Sequence, residues 1–197
     1  MNAESQFSVL DAVSDIDRLD TALWDGIVAH STAYVDVLRS PSLLGVAEPD
    51  ADSLRQVLAM MRKLYRWAVV DLGRPSRFSL GLLDTVTELF LVTTTSIPAL
   101  YQARRTIDTM RKAGFDGDRL RLIVNQPSKT QEFSGSDITR LFGVPVYGKF
   151  SAAVQDLHDA CVRKTLPDKN CDFRVQMAAL ARKVAGLQVE KSKSRAS

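Results

Sequence analysis

Cysteine and histidine are scarce in this 197-residue chain, which has two residues of each. Cys161 and Cys171 are too few for a disulfide framework. His30 and His158 are isolated, and no CxxC pair or His/Cys cluster has the spacing of a metal site. The sequence therefore excludes a disulfide-stapled scaffold and contains no zinc motif.

Long apolar runs are also missing, since no stretch approaches the roughly 18 residues that span a bilayer. The N-terminus lacks the basic-then-apolar pattern of a signal peptide. These two absences predict a cytoplasmic protein. The net charge is only +3, and the aromatic residues (7%) are not interleaved with basic ones, so no nucleic-acid partner is expected.

The remaining composition is that of a globular domain, with 45% hydrophobic and 25% charged residues. The length suits one domain with a sizeable core, and no linker or internal repeat divides it. We predict a single α/β domain over residues 1–187. Residues 188–197 form a basic tail that we predict to be disordered.

The most informative stretch is R-W-A-V-V-D-L-G-R-P at 66–75. Trp67 to Val70 is a short apolar run of β-formers that ends in Asp71 and a Gly/Pro turn. This pattern is typical of a buried parallel strand with a carboxylate at its C-terminal end, where α/β proteins bind ligands. An aspartate at such a position is also a common turn former or helix cap, so both interpretations stay open.

Helical and strand patterns alternate along the whole chain. Helix and strand in alternation predict a three-layer α/β/α, doubly wound fold with a mainly parallel sheet. The strands are expected at 34–38, 67–71, 89–93, 120–124 and 144–147, and the main helices at 17–29, 50–64, 78–87, 97–113, 137–142 and 173–185.

Three predicted strand ends carry complementary chemistry. Asp71 after an apolar strand is the Walker-B arrangement, in which the carboxylate helps to hold Mg²⁺. The hydroxyls from Thr93 to Ser96 suit water or phosphate, and the Asn125 amide suits a base edge. Alternatively, the hydroxyl run caps the next helix, which is the favoured interpretation, and Asn125 belongs to a turn before Pro127.

Several segments together resemble the MinD/ParA-type P-loop ATPases, and most of all their CpaE/TadZ branch, which is associated with Flp/Tad pilus assembly. The resemblance covers nearly the whole chain. It rests on A-V-V-D-L-G-R-P at 68–75, L-F-L-V-T-T-T-S-I-P-A-L-Y-Q-A-R-R at 89–105, R-L-I-V-N-Q-P at 121–127 and F-G-V-P-V-Y-G-K-F at 142–150, with weaker matches at 7–13, 23–28 and 35–41.

The resemblance implies ATP and Mg²⁺ as cofactors. It places Asp71 at the Walker-B position, with the metal held through water, and Asn125 beside the adenine base. It also implies protein partners in a pilus or secretion assembly, either a second copy or another protein. The implied location is the cytoplasm, with peripheral association at the inner membrane or a cell pole as the alternative.

One departure from the family pattern changes these expectations. The chain has no G-x-x-x-x-G-K-[ST] and no K-G-G-x-G-K-[ST], and its ten glycines are scattered. Without this loop most of the phosphate-binding energy is absent. The sequence is therefore expected to be either a natural pseudo-ATPase or a fragment beginning after the phosphate loop. In neither case do we expect ATPase activity from the chain alone.

Two further alternatives remain. A receiver-like signalling domain would use Asp71, Thr93 and Lys149 in that order, although the acidic pair of its first strand is missing. The C-terminal helix has an apolar side beside basic residues, and in MinD relatives such a helix docks on membranes. The apolar side carries little bulk, so we favour a helix that covers the sheet. The apolar positions are Phe173, Met177, Leu180, Ala181, Val184 and Leu187.

Overall fold

The computed structural model describes residues 6–32, 34–41, 49–115, 119–125 and 134–186. These residues fall into two compact units, Met1–Thr87 and Glu88–Ser197. The single domain that we expect over 1–187 stays a prediction, because two compact units can belong to one domain. The predicted tail and Leu187 lie outside the described residues.

The first unit is helical with one small hairpin. Strands β1 (Ala29–Thr32) and β2 (Val35–Val37) pair antiparallel, with His30 opposite Asp36. The elements are α1 (Val9–Ser14), a 3₁₀ turn (Ile16–Arg18), α2 (Thr21–Ile27), β1 (Ala29–Thr32), β2 (Val35–Val37), α3 (Ala51–Leu64), α4 (Arg77–Leu80) and a 3₁₀ turn (Leu83–Thr85).

Helix α3 organises the core of this unit. Its N-cap Asp50 accepts a hydrogen bond from the Ser53 backbone N–H at 2.9 Å, which satisfies one of the free amides of the first turn. The buried residues Leu54, Val57 and Leu58 recur at helical spacing. They pack in one apolar cluster with Trp24 of α2, which is 3% exposed.

The second unit contains a parallel three-stranded sheet with the order β3–β4–β5. Helices connect the strands and flank the sheet, which confirms the predicted α/β fold class. The elements are β3 (Leu89–Thr93), α5 (Ile97–Lys112), β4 (Leu120–Asn125), α6 (Gly135–Phe142), β5 (Val146–Phe150), α7 (Val154–Val162) and α8 (Asp172–Val184).

Strand β4 is the centre of the second unit. Leu120, Leu122 and Val124 are at most 1% exposed, and Ile123, which points to the opposite face, is also buried. A strand buried on both faces needs helices on both sides of the sheet. Helix α5 packs against β3, whereas α6 and α8 pack against β5.

The predicted strand at 67–71 is wrong. Residues 66–71 join no ladder, and Trp67 and Val69 are 55% and 92% exposed. The β-propensity of Trp and Val reflects a fit to a half-buried pleated surface, and it does not create a strand without a neighbouring ladder.

The strand predicted at 34–38 also departs from the predicted parallel arrangement, because β2 (Val35–Val37) pairs antiparallel with β1. Smaller corrections concern boundaries. The last strand runs from Val146 to Phe150 instead of 144–147. Helix α7 follows it at Val154–Val162 and lies outside the predicted helices, although Val154, Leu157 and Cys161 recur at helical spacing. The predicted helix at 17–29 is divided into a 3₁₀ turn and α2.

Helix α8 lies against the sheet, as the covering interpretation predicts. The rings of Phe173 and Phe150 are 5.6 Å apart between centroids. Leu180 Cδ1 lies 3.5 Å from the position that a Cβ on Gly148 would occupy. Among the described residues, no helix combines the length and apolarity that crossing a membrane requires.

Substitution of Phe142, which is fully buried at the end of α6, tests the core of the second unit. We expect Phe142→Ala to lower the free energy of unfolding by about 3–5 kcal/mol, because it leaves a cavity. The neighbouring change Leu141→Ala, at a side chain 45% exposed, should cost about 0.5 kcal/mol or less. Chemical denaturation measures both, and equal losses would contradict the packing described for α6.

Candidate functional site

The carboxyl ends of β3, β4 and β5 meet at one edge of the sheet. Thr93 at the end of β3 is in register with Val124 of β4. Asn125, one residue further along β4, is in register with Phe150 at the end of β5. The structure therefore brings two of the three predicted site residues, Thr93 and Asn125, to adjacent strand ends where α/β sheets bind ligands.

The hydroxyl groups that follow β3 bond within their own turn. Thr93 Oγ1 lies 3.3 Å from the carbonyl oxygens of Thr94 and Ala99, so it ties the strand to the first turn of α5. Thr94 Oγ1 and Ser96 Oγ are 3.1 Å apart. Ser96 occupies the N-cap position of α5, but its side chain makes no capping hydrogen bond. The hydroxyl run therefore lies at the start of α5, as the helix-cap interpretation predicts. However, the side chain that bonds to the first turn of the helix is Thr93 and not the N-cap Ser96.

Asn125 is exposed at the end of β4, so its amide is accessible from this edge. Beside it, Ser151 follows β5, and its backbone N–H donates to Gln176 Oε1 of α8 at 2.9 Å. The Gln176 amide donates in return to the Ser151 hydroxyl. Sequence reasoning missed Ser151 because it ended the strand at Tyr147, three residues too early.

An open cleft of about 640 Å³ lies beside the sheet between α6 and β5. Two cations, Arg140 and Lys149, line it together with the hydroxyl residues Ser136 and Thr139. Lys149 Nζ lies 3.2 Å from the position that a Cβ on Gly135 would occupy, so a side chain at residue 135 would require the end of this lysine to shift by a few tenths of an ångström. The other lining residues are Pro145, Val146, Tyr147 and Gly148.

The receiver-like alternative needs Asp71, Thr93 and Lys149 at one sheet edge. Thr93 and Lys149 are both in register with Val124, from opposite sides of β4. Thr93 is buried and bonded to backbone carbonyls, whereas Lys149 is exposed toward the α6 cleft. Asp71 belongs to no strand. Thr93 and Lys149 thus lie at the same height along the sheet, as a receiver-like site requires. Asp71, which would be the acceptor carboxylate, does not lie on a strand.

Asp71 lies in the first unit as an exposed turn residue. Its Oδ1 accepts a hydrogen bond from the Gly73 backbone N–H at 2.9 Å, and Gly73 has a φ of +62°. This is the turn-forming role that was the alternative to a Walker-B aspartate. The Walker-B role and the water-mediated Mg²⁺ contact of Asp71 stay predictions.

Asp71 is the carboxylate that the sequence predicts as a Mg²⁺ contact, and the described residues place no cluster of metal-ligating side chains around it. No group of three or more His, Cys, Asp or Glu side chains in the described ranges could hold a metal ion. Mg²⁺ keeps several waters and commonly uses one or two carboxylates plus substrate phosphates. Asp71, with one oxygen engaged by Gly73, could supply one such contact.

No known family model matches the sequence. A search of curated proteins also gives no match. Solved structures do match. A ParA family ATPase from Chlorobium tepidum TLS superposes with a TM-score of 0.81 at 17% identity, over 93% of this chain and 76% of that one.

Two MinD structures are similar as well. MinD in the MinC:MinD cell division complex of Aquifex aeolicus gives a TM-score of 0.73 at 14% identity, over 98% of this chain and 78% of that one. MinD with Mg-ADP from Pyrococcus horikoshii OT3 gives a TM-score of 0.59 at 16% identity, over 93% of this chain and 82% of that one. The chain therefore has the α/β fold of the ParA and MinD P-loop ATPases.

Substitution of Gly73, whose N–H bonds to Asp71, tests the structure of this turn. We expect Gly73→Ala to lower the free energy of unfolding by about 1–2 kcal/mol, because alanine is strained at positive φ. Gly26→Ala is the matched control, since Gly26 lies in α2 with nothing within 4 Å of an added Cβ. It should raise stability by up to about 1 kcal/mol. Urea denaturation measures the free energy of unfolding of both variants. An unchanged stability of Gly73→Ala would contradict the positive φ of Gly73.

Proposed function

We propose that the chain is a CpaE-like pseudo-ATPase or partial ATPase domain. It acts as a positioning and interaction factor in pilus or secretion-system assembly, and it does not hydrolyse ATP by itself. One observation carries this proposal: a ParA/MinD-like sheet presents Thr93 and Asn125 at its ligand edge, while the 197 residues contain no phosphate-loop motif.

Two similarities support a role in assembly. One neighbour is a MinD bound to its partner MinC, so a protein of this fold forms a protein complex. The CpaE-like segments of the sequence point to the pilus branch. Another neighbour was crystallised with Mg-ADP, which gives nucleotide and Mg²⁺ as the ligands to test first.

The alternative function is that of a nucleotide-binding ATPase of which this chain is one part. In that case Asp71 and Asn125 would contact Mg²⁺ and adenine, with the phosphates held by residues outside the 197. The difference between the two proposals lies in what the chain does alone with Mg-ATP.

Calorimetric titration with Mg-ATP tests the pseudo-ATPase proposal. We expect no binding at micromolar concentrations, because backbone amides and a lysine that cradle phosphate are missing from the sequence. A cooperative thermal unfolding transition, recorded on the same sample, shows that the chain is folded.

Asp71→Asn is the matched variant, because its amide oxygen can still accept from the Gly73 N–H. Binding of Mg-ATP that this substitution weakens would overturn the pseudo-ATPase proposal. Further weakening by Asn125→Ala would then assign the base side of the site to the end of β4.

Strand β3 offers a test of the interaction role. It pairs only with β4 in the described sheet, and Val92 on this strand is 58% exposed. An unpaired strand edge favours pairing with another chain, so we expect a homodimer or a complex with a partner.

Analytical ultracentrifugation measures this association. We expect the wild-type chain to sediment as a dimer, and Val92→Lys to shift it toward the monomer, because a charged side chain on an edge strand opposes pairing. Val162→Lys is the control, at an α7 side chain 69% exposed. A dimer that both variants leave intact would show that β3 is not the interface.

A further inference from the structure

A chain of polar side chains joins the β1–β2 hairpin to the interior of the first unit. The buried Trp24 donates from Nε1 to the Tyr65 hydroxyl at 2.8 Å. Tyr65 donates to Asp36 Oδ2 at 2.6 Å, and Asp36 Oδ1 lies 2.7 Å from His30 Nδ1. These four residues come from α2, the end of α3, β2 and β1, so the contacts link elements distant in sequence.

The second ring nitrogen of His30 also faces a carboxylate. Its Nε2 lies 3.4 Å from Asp25 Oδ1 of α2. A neutral imidazole has one N–H, whereas the imidazolium has two. Only the protonated ring can donate to Asp36 and Asp25 together. When the proton is lost, one of the two carboxylates faces a ring lone pair.

The charges around His30 all favour the protonated ring. The hydrogen bond to Asp36 and the negative charges of Asp36 and Asp25 raise the pKa of His30 above 6.5. The hydrogen bond from Tyr65, followed by that from His30, lowers the pKa of Asp36. Burial and the neighbouring Asp36 raise the pKa of Tyr65. These directions favour an anionic Asp36 and a protonated Tyr65, and His30 is the group of these three whose ordinary pKa lies closest to neutral pH.

The direction of the pH effect follows from linkage. A group with a raised pKa in the folded state contributes stability that is complete below its unfolded value, here 6.5. This contribution is lost as the pH rises through the folded value. The contacts of the hairpin should therefore weaken as the pH rises above 6.5.

The far end of this hydrogen-bonded chain lies in the core of the first unit. Trp24 is 3% exposed and packs with Leu54, Val57 and Leu58 of α3. Its ring lies 6.2 Å from that of Tyr65 between centroids. Tyr65 thus connects Asp36 of the hairpin to a core tryptophan.

We propose that these residues form a pH-responsive clamp: protonated His30 bridges Asp25 and Asp36 and holds the β1–β2 hairpin against α2 and the end of α3, and loss of the proton loosens the hairpin. The clamp is independent of nucleotide binding and of the assembly role proposed above.

An NMR titration of the full chain tests the proposal directly. The chain has two histidines, and His30→Gln assigns the imidazole signals. We expect His30 to titrate above pH 6.5, and amide exchange in residues 29–37 to accelerate between pH 6 and 8.5 beyond the intrinsic base-catalysed increase. A His30 titration at or below 6.5 would overturn the clamp.

Two variants separate the clamp from general pH effects. His158→Gln removes an imidazole on α7 for which the structure records no carboxylate partner in the described ranges, and it should keep the wild-type pH dependence of hairpin exchange. Asp25→Asn, at a side chain 77% exposed, should fold normally and shift the His30 titration to lower pH. Identical exchange profiles for wild type and His30→Gln, or an unshifted titration in Asp25→Asn, would refute the bridge.

Discussion

The burial of β4 on both faces is the constraint on which the second unit depends. A strand with Leu122, Ile123 and Val124 all buried needs neighbouring strands to satisfy its backbone and helices to cover it, and here both neighbours, β3 and β5, are parallel to it. Parallel neighbours require helical crossovers, and these bring every carboxyl end to the same edge. The position of Thr93 beside Asn125 is thus a consequence of the parallel pairing of β3 with β4.

Basic side chains of α5 fix α6 in its place beside this sheet. Arg104 donates to the Leu141 carbonyl at 2.6 Å, and Arg111 Nη2 lies 3.1 Å from the Phe142 carbonyl. The last carbonyls of a helix have no hydrogen-bond partner within it, so these arginines supply the missing donors. Their positive charge also interacts favourably with the negative C-terminal end of the helix dipole. Arg104 and Arg111 thus hold the C-terminal end of α6, the helix that lines the cleft together with Lys149.

The sequence was sufficient for the elements whose local signals agree with their burial. The apolar patterns of β3 and β4 agree with the burial of these strands, and α5 between them begins after Ser96 and ends before Gly114. The positions of Thr93 and Asn125 at strand ends could therefore be predicted. The stretch at 67–71 has the composition of a strand, but a ladder partner is a tertiary property that composition does not encode. The His30 clamp was missed for a related reason. Its members are up to 41 residues apart, and only the fold makes them neighbours.

The turn after β3 shows why the sheet edge does not by itself replace a phosphate loop. Phosphate binding needs free backbone amides at a helix start. Here the hydroxyl of Thr93 is directed to backbone carbonyls, and the Ser96 N–H lies 3.4 Å from Thr94 Oγ1. Pro98 in the first turn of α5 has no N–H to offer. Among the described residues at this edge, Asn125 is exposed at the end of β4 and Lys149 is exposed near the end of β5. An amide and an ammonium group can contact a base edge or an acidic protein surface, and this chemistry is compatible with the interaction role proposed above.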